Sequence, residues 1–347
     1  MGISKDKKNI LFIVTKSENG GAQRWVKEQI DILNDRFNTF IVTDEEGWLI
    51  QSAKMDGYFV DMKIHSLFSY SFLKKFAKYV KDNNIDLIVA GTANAGVYGR
   101  LVKIFVNKPV IYVSHGWSSI YNGGRMQFIY TRVEKFLSMI SESVLCVSNS
   151  DYKRARDEIS IEEEKLKLIV NKSMPIQKRD YAKRGERLKI VNVARFKHPK
   201  RQDLLIEAVK DLDVDLYLVG DGPSKKKCES NAPSNVHFLG EIDGFDSFYE
   251  YDLFALISDS EGLPLSGVEA MSAGLPLILS NVGGCPELIE GNGFLVDNKS
   301  EEIKEAIEKI SQNLEHYSKN SVRLFDKKYN LLESRELYID YYSKYIS

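Results

Sequence analysis

Two carboxylates with seven residues between them, Glu261 and Glu269, flank a Gly-Leu-Pro break that opens a helical pattern. The apolar run from Leu253 to Ile257 reads as a buried strand, Gly262 and Pro264 interrupt the chain, and Val268, Ala270, Met271 and Ala273 follow at helical spacing. Glu261 is therefore expected just ahead of a helix and Glu269 about two turns into it. A helix N-terminus presents unpaired backbone N–H groups and the positive end of its dipole, so phosphate is its natural ligand. A carboxylate accepts hydrogen bonds from sugar hydroxyls. Amides for a diphosphate, flanked by two hydroxyl acceptors, meet the needs of a nucleoside-diphosphate sugar. Taken alone, two glutamates at this spacing are more often a plain surface pair.

Other residues extend the pattern. Arg195 and Lys200 supply a planar fork and a point charge, two ways to neutralise a diphosphate. Such cations stabilise charge growing on a leaving phosphate more in the transition state than in the ground state; a solvated basic loop is the competing reading. Gly20-Gly21, ahead of a helical pattern, lets backbone amides approach a ligand with no Cβ in the way, although it is not a G-x-G-x-x-G motif. His115, with Gly116 beside it, can bond a hydroxyl or a phosphate, or serve as a structural histidine. Asp213-Val-Asp215 has the form of a divalent-metal pair but leads into a strand at its amino end, so it reads as a solvated turn and no metal site is expected. Gly291-Asn-Gly293 precedes a strand and reads as a turn, and no G-x-S-x-G, Walker A or H-E-x-x-H run occurs.

The elements that must position these residues have a β-α-β rhythm. Apolar runs at Asn9 to Thr15, Thr39 to Thr43, Ile85 to Ala90, Val110 to Ser114 and Val144 to Ser148 alternate with charged amphipathic stretches. The rhythm restarts at Leu188 to Ala194, Asp215 to Gly220, Val236 to Leu239, Leu253 to Ile257, Leu277 to Ser280 and Phe294 to Val296. This predicts an α/β fold of two doubly wound parallel sheets. Ligands of such sheets bind beyond the carboxyl ends of the strands, where Gly20, Gly21, His115, Arg195, Lys200, Gly240, Glu241 and Glu261 all fall, facing one expected cleft. The polar stretch from Val170 to Gly185 is expected to link the domains, and Leu331 to Tyr345 reads as a Tyr-rich amphipathic helix.

Composition agrees. A chain of 347 residues with 43% hydrophobic and 28% charged residues has the material for two cores. Cys146, Cys228 and Cys285 form no C-x-x-C pair, which suits a reducing cytosol without disulfides or zinc. The apolar run after Lys8 is too short for a signal peptide or a membrane span, and Asp6 stands where a myristoylation site needs Ser or Thr. Residues 1–180 carry 27 Lys and Arg against 21 Asp and Glu, while residues 181–347 carry 21 against 28. Such an asymmetry suggests that the basic half meets an anionic surface, membrane or nucleic acid.

The ordered set Gly20-Gly21-Ala22, His115, Val147-Ser148-Asn149, Asn171, Ala194-Arg195 through Lys200, Val219 to Pro223, Phe238-Leu-Gly240, Glu261 to Pro264, Glu269 to Gly274 and Gly283-Gly284 with Glu287 resembles the retaining glycosyltransferases of family 4. The resemblance implies a GT-B fold, two Rossmann-like domains facing a cleft. The boundaries expected are 1–171 for acceptor binding, with a terminal helix at 330–347 packing back on it, and 172–329 for the nucleotide sugar. It also implies that Arg195, Lys200 and the amides of Leu265 and Ser266 hold the donor diphosphate. Gly262, Leu263 and Pro264 complete that loop, and Gly20 and Gly21 approach from the first domain. Glu269 takes the ribose hydroxyls, Glu261 the hydroxyls of the moving sugar, His115 the sugar near the reacting centre, and Gly240, Glu241 and Ile242 the base. The chain departs from the family at Arg201 after Lys200, where Gly is common, and at Asn171-Lys172-Ser173, where Asn-Gly is usual.

A retaining, metal-independent transfer from a UDP-sugar follows, with His115, Glu261, Arg195 and Lys200 as catalytic residues and no cofactor. The aromatic and basic stretches Phe68 to Tyr79 and Tyr121 to Arg132, together with the basic N-terminal half, favour a polyprenyl-diphosphate-linked glycan acceptor for surface polysaccharide. The expected location is the cytoplasm, with peripheral contact on an anionic membrane and no nucleic acid. A soluble acceptor such as a sugar phosphate or a protein is the alternative within the class. A non-catalytic nucleotide-sugar binder or a nucleotide-sugar epimerase would differ in kind.

Overall fold

A computed structural model describes residues 7–117, 124–183 and 185–346. Residues 1–6, where the sequence predicts neither signal nor lipidation, and Tyr121 to Gly123 of the second aromatic stretch lie outside the described residues.

Two compact units divide the chain, Met1–Val170 with Leu332–Ser347 and Asn171–Leu331. In the first, seven strands among the described residues run β1 Lys8–Ile13, β2 Phe37–Thr43, β3 Gly57–Val60, β4 Leu87–Gly91, β5 Val110–Ser114, β6 Ser143–Cys146 and β7 Leu166–Leu168, in the order β3-β2-β1-β4-β5-β6-β7. Every pairing is parallel. The second unit holds β8 Leu188–Val193, β9 Val214–Val219, β10 Val236–Gly240, β11 Leu253–Leu256, β12 Leu277–Ser280 and β13 Gly293–Val296, ordered β10-β9-β8-β11-β12-β13 and again all parallel. Strands covered on both faces must be apolar throughout. Ile10 to Ile13 and Leu253 to Leu256 accordingly have no exposed surface at all.

β3 and β7 carry no long apolar run that marks them in the sequence. Both are sheet edges. An edge strand needs no continuous apolar run, and the Leu-Lys-Leu of β7 shows one buried, one exposed and one half-buried residue.

Two boundary expectations are corrected. Asn171 belongs to the second unit, because its Nδ2 donates to the Leu263 carbonyl at 3.0 Å. The segment after it is pinned along that unit and is not a loose linker. The Ile176 N–H donates to Ser272 Oγ at 3.0 Å, that of Arg179 donates to the Ala273 carbonyl at 2.8 Å, and the Arg179 guanidinium meets Asp252 at 2.8 Å. Leu331 stays with the second unit through its N–H to the Ser173 carbonyl at 3.0 Å. The terminal α-helix spans only Arg335–Ser343 and packs in the first unit. There Tyr342 donates to Gln29 Oε1 at 2.9 Å, Tyr341 to Ser143 Oγ at 2.8 Å, and Arg335 Nε to the Ile32 carbonyl at 2.9 Å.

Strand order reverses between β1 and β4 in the first unit and between β8 and β11 in the second. Loops leaving adjacent strands at such a switch point diverge to opposite faces and leave a crevice. The loops after β1, β8 and β11 are those that carry Gly20-Gly21, Arg195 to Lys200 and Glu261.

Candidate active site

In the second unit the post-β8 loop is built by glycines that come later in sequence. Gly220 and Gly222 adopt φ of +137° and +147°, and a Cβ on either would lie 2.2 Å from the Ala194 carbonyl oxygen or 2.5 Å from that of Phe196. Only glycine permits both the conformation and the approach. The Phe196 N–H then donates to the Asp221 carbonyl at 2.8 Å while its ring is fully buried, so the loop has a fixed anchor. Arg195 beside it is exposed. Farther along, backbone bonds from Arg201 to the Ile257 carbonyl at 2.9 Å and from Asp259 to the Pro199 carbonyl at 2.8 Å knit this loop to the one leaving β11.

That knitting brings Lys200 and Glu261 into a direct ion pair, with side chains 21% and 10% exposed. Each charge holds the other in place across 61 residues of sequence. The Glu261 backbone is itself clamped. Gly283, at φ +54°, has room for no Cβ, since one would fall 1.8 Å from the Glu261 carbonyl oxygen, and the Gly284 N–H donates to the Gly262 carbonyl at 2.8 Å.

Helix Leu265–Ser272 begins directly after this clamp, with Pro264 as an extended N-cap whose side chain makes no capping bond. First-turn amides have no carbonyl of their own helix to bond, so those of Leu265 and Ser266 point out at the helix mouth with the positive end of the dipole. Glu269 is the fifth residue of the helix, one turn in and not two, because the helix starts at Leu265 after proline. It is 8% exposed. Gly240, at φ +75°, accepts from the Gly220 N–H at 2.7 Å, which brings the turn after β10 against the post-β9 turn, and Glu241 and Ile242 follow it exposed.

Several supporting residues escaped the sequence reading. Asn298 Nδ2 donates to the Ser258 carbonyl at 3.0 Å and to Asp259 Oδ1 at 2.8 Å, while Ser280 Oγ bridges Asn298 Oδ1 at 2.6 Å and the Ser258 N–H at 2.9 Å. With Asn171 on Leu263, these bonds hold both ends of the Glu261 loop. Asn and Ser in loops carry no periodic signal, so nothing local could reveal them.

In the first unit, helix Gly21–Leu33 starts from Gly20 as an extended N-cap without a side-chain cap, leaving its mouth to the backbone. His115, just past β5, packs edge-on against Trp25 of this helix with centroids 5.2 Å apart. Its Nε2 is buried with no hydrogen-bond partner among the described residues. Burial penalises the imidazolium and pushes the His115 pKa down to about 4. At neutral pH the ring is thus uncharged and able to donate or accept one bond. The unfolded chain takes up a proton below about pH 6.5 that the folded ring refuses, so this group makes stability fall as pH drops from there toward 4. An NMR titration is expected to show no His115 protonation above pH 5; a midpoint near 6.5 would contradict the burial.

The switch point of this unit also holds a feature not read from sequence. Thr92, a β-branched residue, sits at φ +69°, with its Oγ1 2.9 Å from Thr15 Oγ1 and accepting from the Thr15 N–H at 3.1 Å. Thr15 Oγ1 in turn accepts from the Ala95 N–H at 3.1 Å, so the pair fixes the mouth of helix Ala93–Leu101.

Asp213 and Asp215 both meet the Arg187 guanidinium, at 2.9 and 3.2 Å, with Asp215 also 3.3 Å from His237 Nε2. They lie at the amino end of β9, away from the strand ends that carry Lys200 and Glu261.

Two all-parallel sheets, one bearing a cation–carboxylate pair beside an uncapped helix mouth, match the GT-B fold of solved glycosyltransferase structures, one from Rickettsia africae aligning with a TM-score of 0.77. The family profile described as Glycosyltransferase Family 4 matches residues 19–171 and that described as Glycosyl transferases group 1 matches residues 173–322. The O-antigen biosynthesis glycosyltransferase WbnH of Escherichia coli is 47% identical over 92% of this chain and 95% of its own. The chain therefore belongs to the family 4 glycosyltransferases. Another E. coli relative, UDP-Gal:alpha-D-GlcNAc-diphosphoundecaprenol alpha-1,3-galactosyltransferase, is 24% identical over 92% of this chain and 94% of its own. The crystal structure of HepE from Anabaena with UDP-glucose shares the fold, with a TM-score of 0.83 at 21% identity over 97% and 99% of the two chains. Among the described residues no helix is long and apolar enough to cross a membrane.

Proposed function

We propose that the protein transfers a sugar from a UDP-sugar to a polyprenyl-diphosphate-linked glycan during O-antigen assembly, with retention of anomeric configuration and without a metal, at the cytoplasmic face of the membrane. The observation that carries this reading is the Lys200–Glu261 ion pair beside the open amides of Leu265 and Ser266. It sets a fixed cation and a helix dipole for a diphosphate next to a carboxylate that accepts sugar hydroxyls. Support for the donor comes from HepE, crystallised with UDP-glucose. WbnH, named for O-antigen biosynthesis, supports the pathway, and the diphosphoundecaprenol in the other relative's name supports the lipid carrier.

Arg195 and Lys200 take the diphosphate together with the Leu265 and Ser266 amides, within the loop of Gly262, Leu263 and Pro264. Glu269 takes the ribose, and Gly240, Glu241 and Ile242 frame the base. Within the first unit, the helix mouth at Gly20 and Gly21 offers backbone amides to an anion. His115, neutral and with an unused ring nitrogen, is able to bond a sugar hydroxyl. The glycosidic C–O bond to the diphosphate breaks as the acceptor hydroxyl attacks from the same face, and a leaving phosphate oxygen receives the acceptor proton. The charge left on the diphosphate is held by Arg195, Lys200 and the helix mouth.

The test is a thermal-shift panel of UDP, GDP and ADP, followed by turnover of UDP-sugars on a lipid-linked acceptor and assignment of the product anomer by NMR. Stabilisation by UDP and a retained anomer are expected; an inverted product would overturn the mechanism.

A further inference from the structure

Helix Gln127–Ile140 has its amphipathic character turned inside out. Its buried residues are Glu134, Leu137 and Ser138. Glu134 is the helix's only acidic residue, and it accepts from Arg100 Nη1 at 2.9 Å beneath the helix, where the Arg100 guanidinium lies 4.1 Å over the Tyr112 ring. The side turned to solvent carries Phe128 at 61% exposure, Ile129 at 49%, Val133 at 44%, Phe136 at 61% and Met139 at 64%. Phe128 and Ile129 are neighbours and the others follow at three- or four-residue spacing, so all five fall on one broad side of the helix. A surface helix ordinarily faces its apolar stripe to the core; a contiguous exposed one marks a docking surface.

We propose that this stripe lies in the interfacial layer of an anionic phospholipid membrane, parallel to its plane. The charge on the helix selects that occupant. Arg132 sits within the stripe, its guanidinium 3.9 Å over the Phe128 ring, and Lys135 is exposed on its flank, while the one carboxylate is turned inward. An apolar face that seats in acyl chains, with aliphatic stems that carry cations up to lipid phosphates, fits this arrangement. A second copy of the chain fits it poorly. Arg132 lies near the middle of the helix, so a two-fold pairing of the stripe with itself would bury two guanidinium groups together with no counter-charge. The inference deepens the lipid-linked acceptor reading and rests on it for its purpose, since an enzyme held at the bilayer meets a lipid-borne substrate at high local concentration.

The experiment is co-sedimentation of the full chain with vesicles of phosphatidylglycerol and phosphatidylcholine, against phosphatidylcholine alone. Binding to the anionic vesicles is expected, with at least about a tenfold loss in the Ile129→Glu/Phe136→Glu double variant. Arg132→Glu is expected to narrow the preference for anionic lipid. Both sites are exposed, so the thermal melt stays unchanged, as does turnover on a water-soluble acceptor. Wild-type indifference to anionic vesicles, or undiminished binding by the double variant, would overturn the proposal. So would a lipid-free dimer in sedimentation velocity that the double variant dissociates. Intact vesicle binding without turnover of lipid-linked acceptors sinks the acceptor reading alone and leaves the membrane surface standing.

Discussion

Lys200→Ala is expected to lower kcat by about 10²- to 10³-fold, the usual loss when one fixed stabiliser of transition-state charge is removed. The Lys200 backbone is held independently of its side chain, by its own N–H to the Lys197 carbonyl at 3.0 Å and by its neighbours' bonds to Pro199 and Ile257. The loop therefore keeps its path when the ammonium goes. What changes is Glu261, left 10% exposed without its counter-charge, so a loss of stability on the order of 1–3 kcal/mol accompanies the kinetic effect. Glu261→Gln separates the two contributions, because it keeps the shape and a hydroxyl acceptor while it removes the charge. Circular dichroism and single-turnover kinetics on both variants make the measurement, and a Lys200→Ala enzyme with near-normal turnover would remove the residue from the chemistry.

Gly283→Ala is expected to be nearly as damaging to turnover, although residue 283 touches no reacting atom. A methyl group there meets the Glu261 carbonyl oxygen at 1.8 Å, well inside any tolerated contact, and the backbone is already at φ +54°. The left-handed conformation alone costs a non-glycine residue roughly 1–2 kcal/mol. The overlap can be relieved only by pushing the Glu261 backbone away by more than an ångström, which also strains the Gly284 to Gly262 bond. Misplacement of a positioning group on that scale costs about 10²-fold in rate. The expected result is therefore a kcat/KM lower by about two orders of magnitude in a protein that still folds, with a melting temperature lowered by several degrees. An unchanged kcat/KM would show that the clamp does not set the position of Glu261.

These two variants also mark how far the sequence could be read. Interior strands such as Leu253 to Leu256 announce themselves, because a strand covered on both faces has no choice but to be apolar, and Lys200 and Glu261 follow from their places after two such strands. The edge strands β3 and β7 carried no such obligation and went unread. Nor could a local pattern show that Gly283 is shaped by Glu261, that Asn171 reaches Leu263 across 92 residues, or that Asn298 and Ser280 hold Ser258. Each depends on a partner fixed only by the tertiary fold. The helix start at Leu265 was legible from Pro264, and only the depth of Glu269 was overestimated, since it lies one turn in. The aromatic and basic stretch ending at Arg132 was visible as composition, but the outward apolar face of Gln127–Ile140 was not, because the ion pair of Arg100 with Glu134 that orients it joins residues 34 apart.

The first unit is discontinuous, and this bears on the order in which the protein can be made. Tyr338 and Tyr342 are buried against Trp25, Gln29 and Phe12, yet they are translated only after the whole second unit. A nascent chain that has emerged as far as Leu331 carries every residue of Asn171–Leu331 and can close that core, while the earlier sheet still shows water the groove where Arg335–Ser343 will dock. The half of the protein that is synthesised first is thus the half whose core cannot be complete until the last helix has been made.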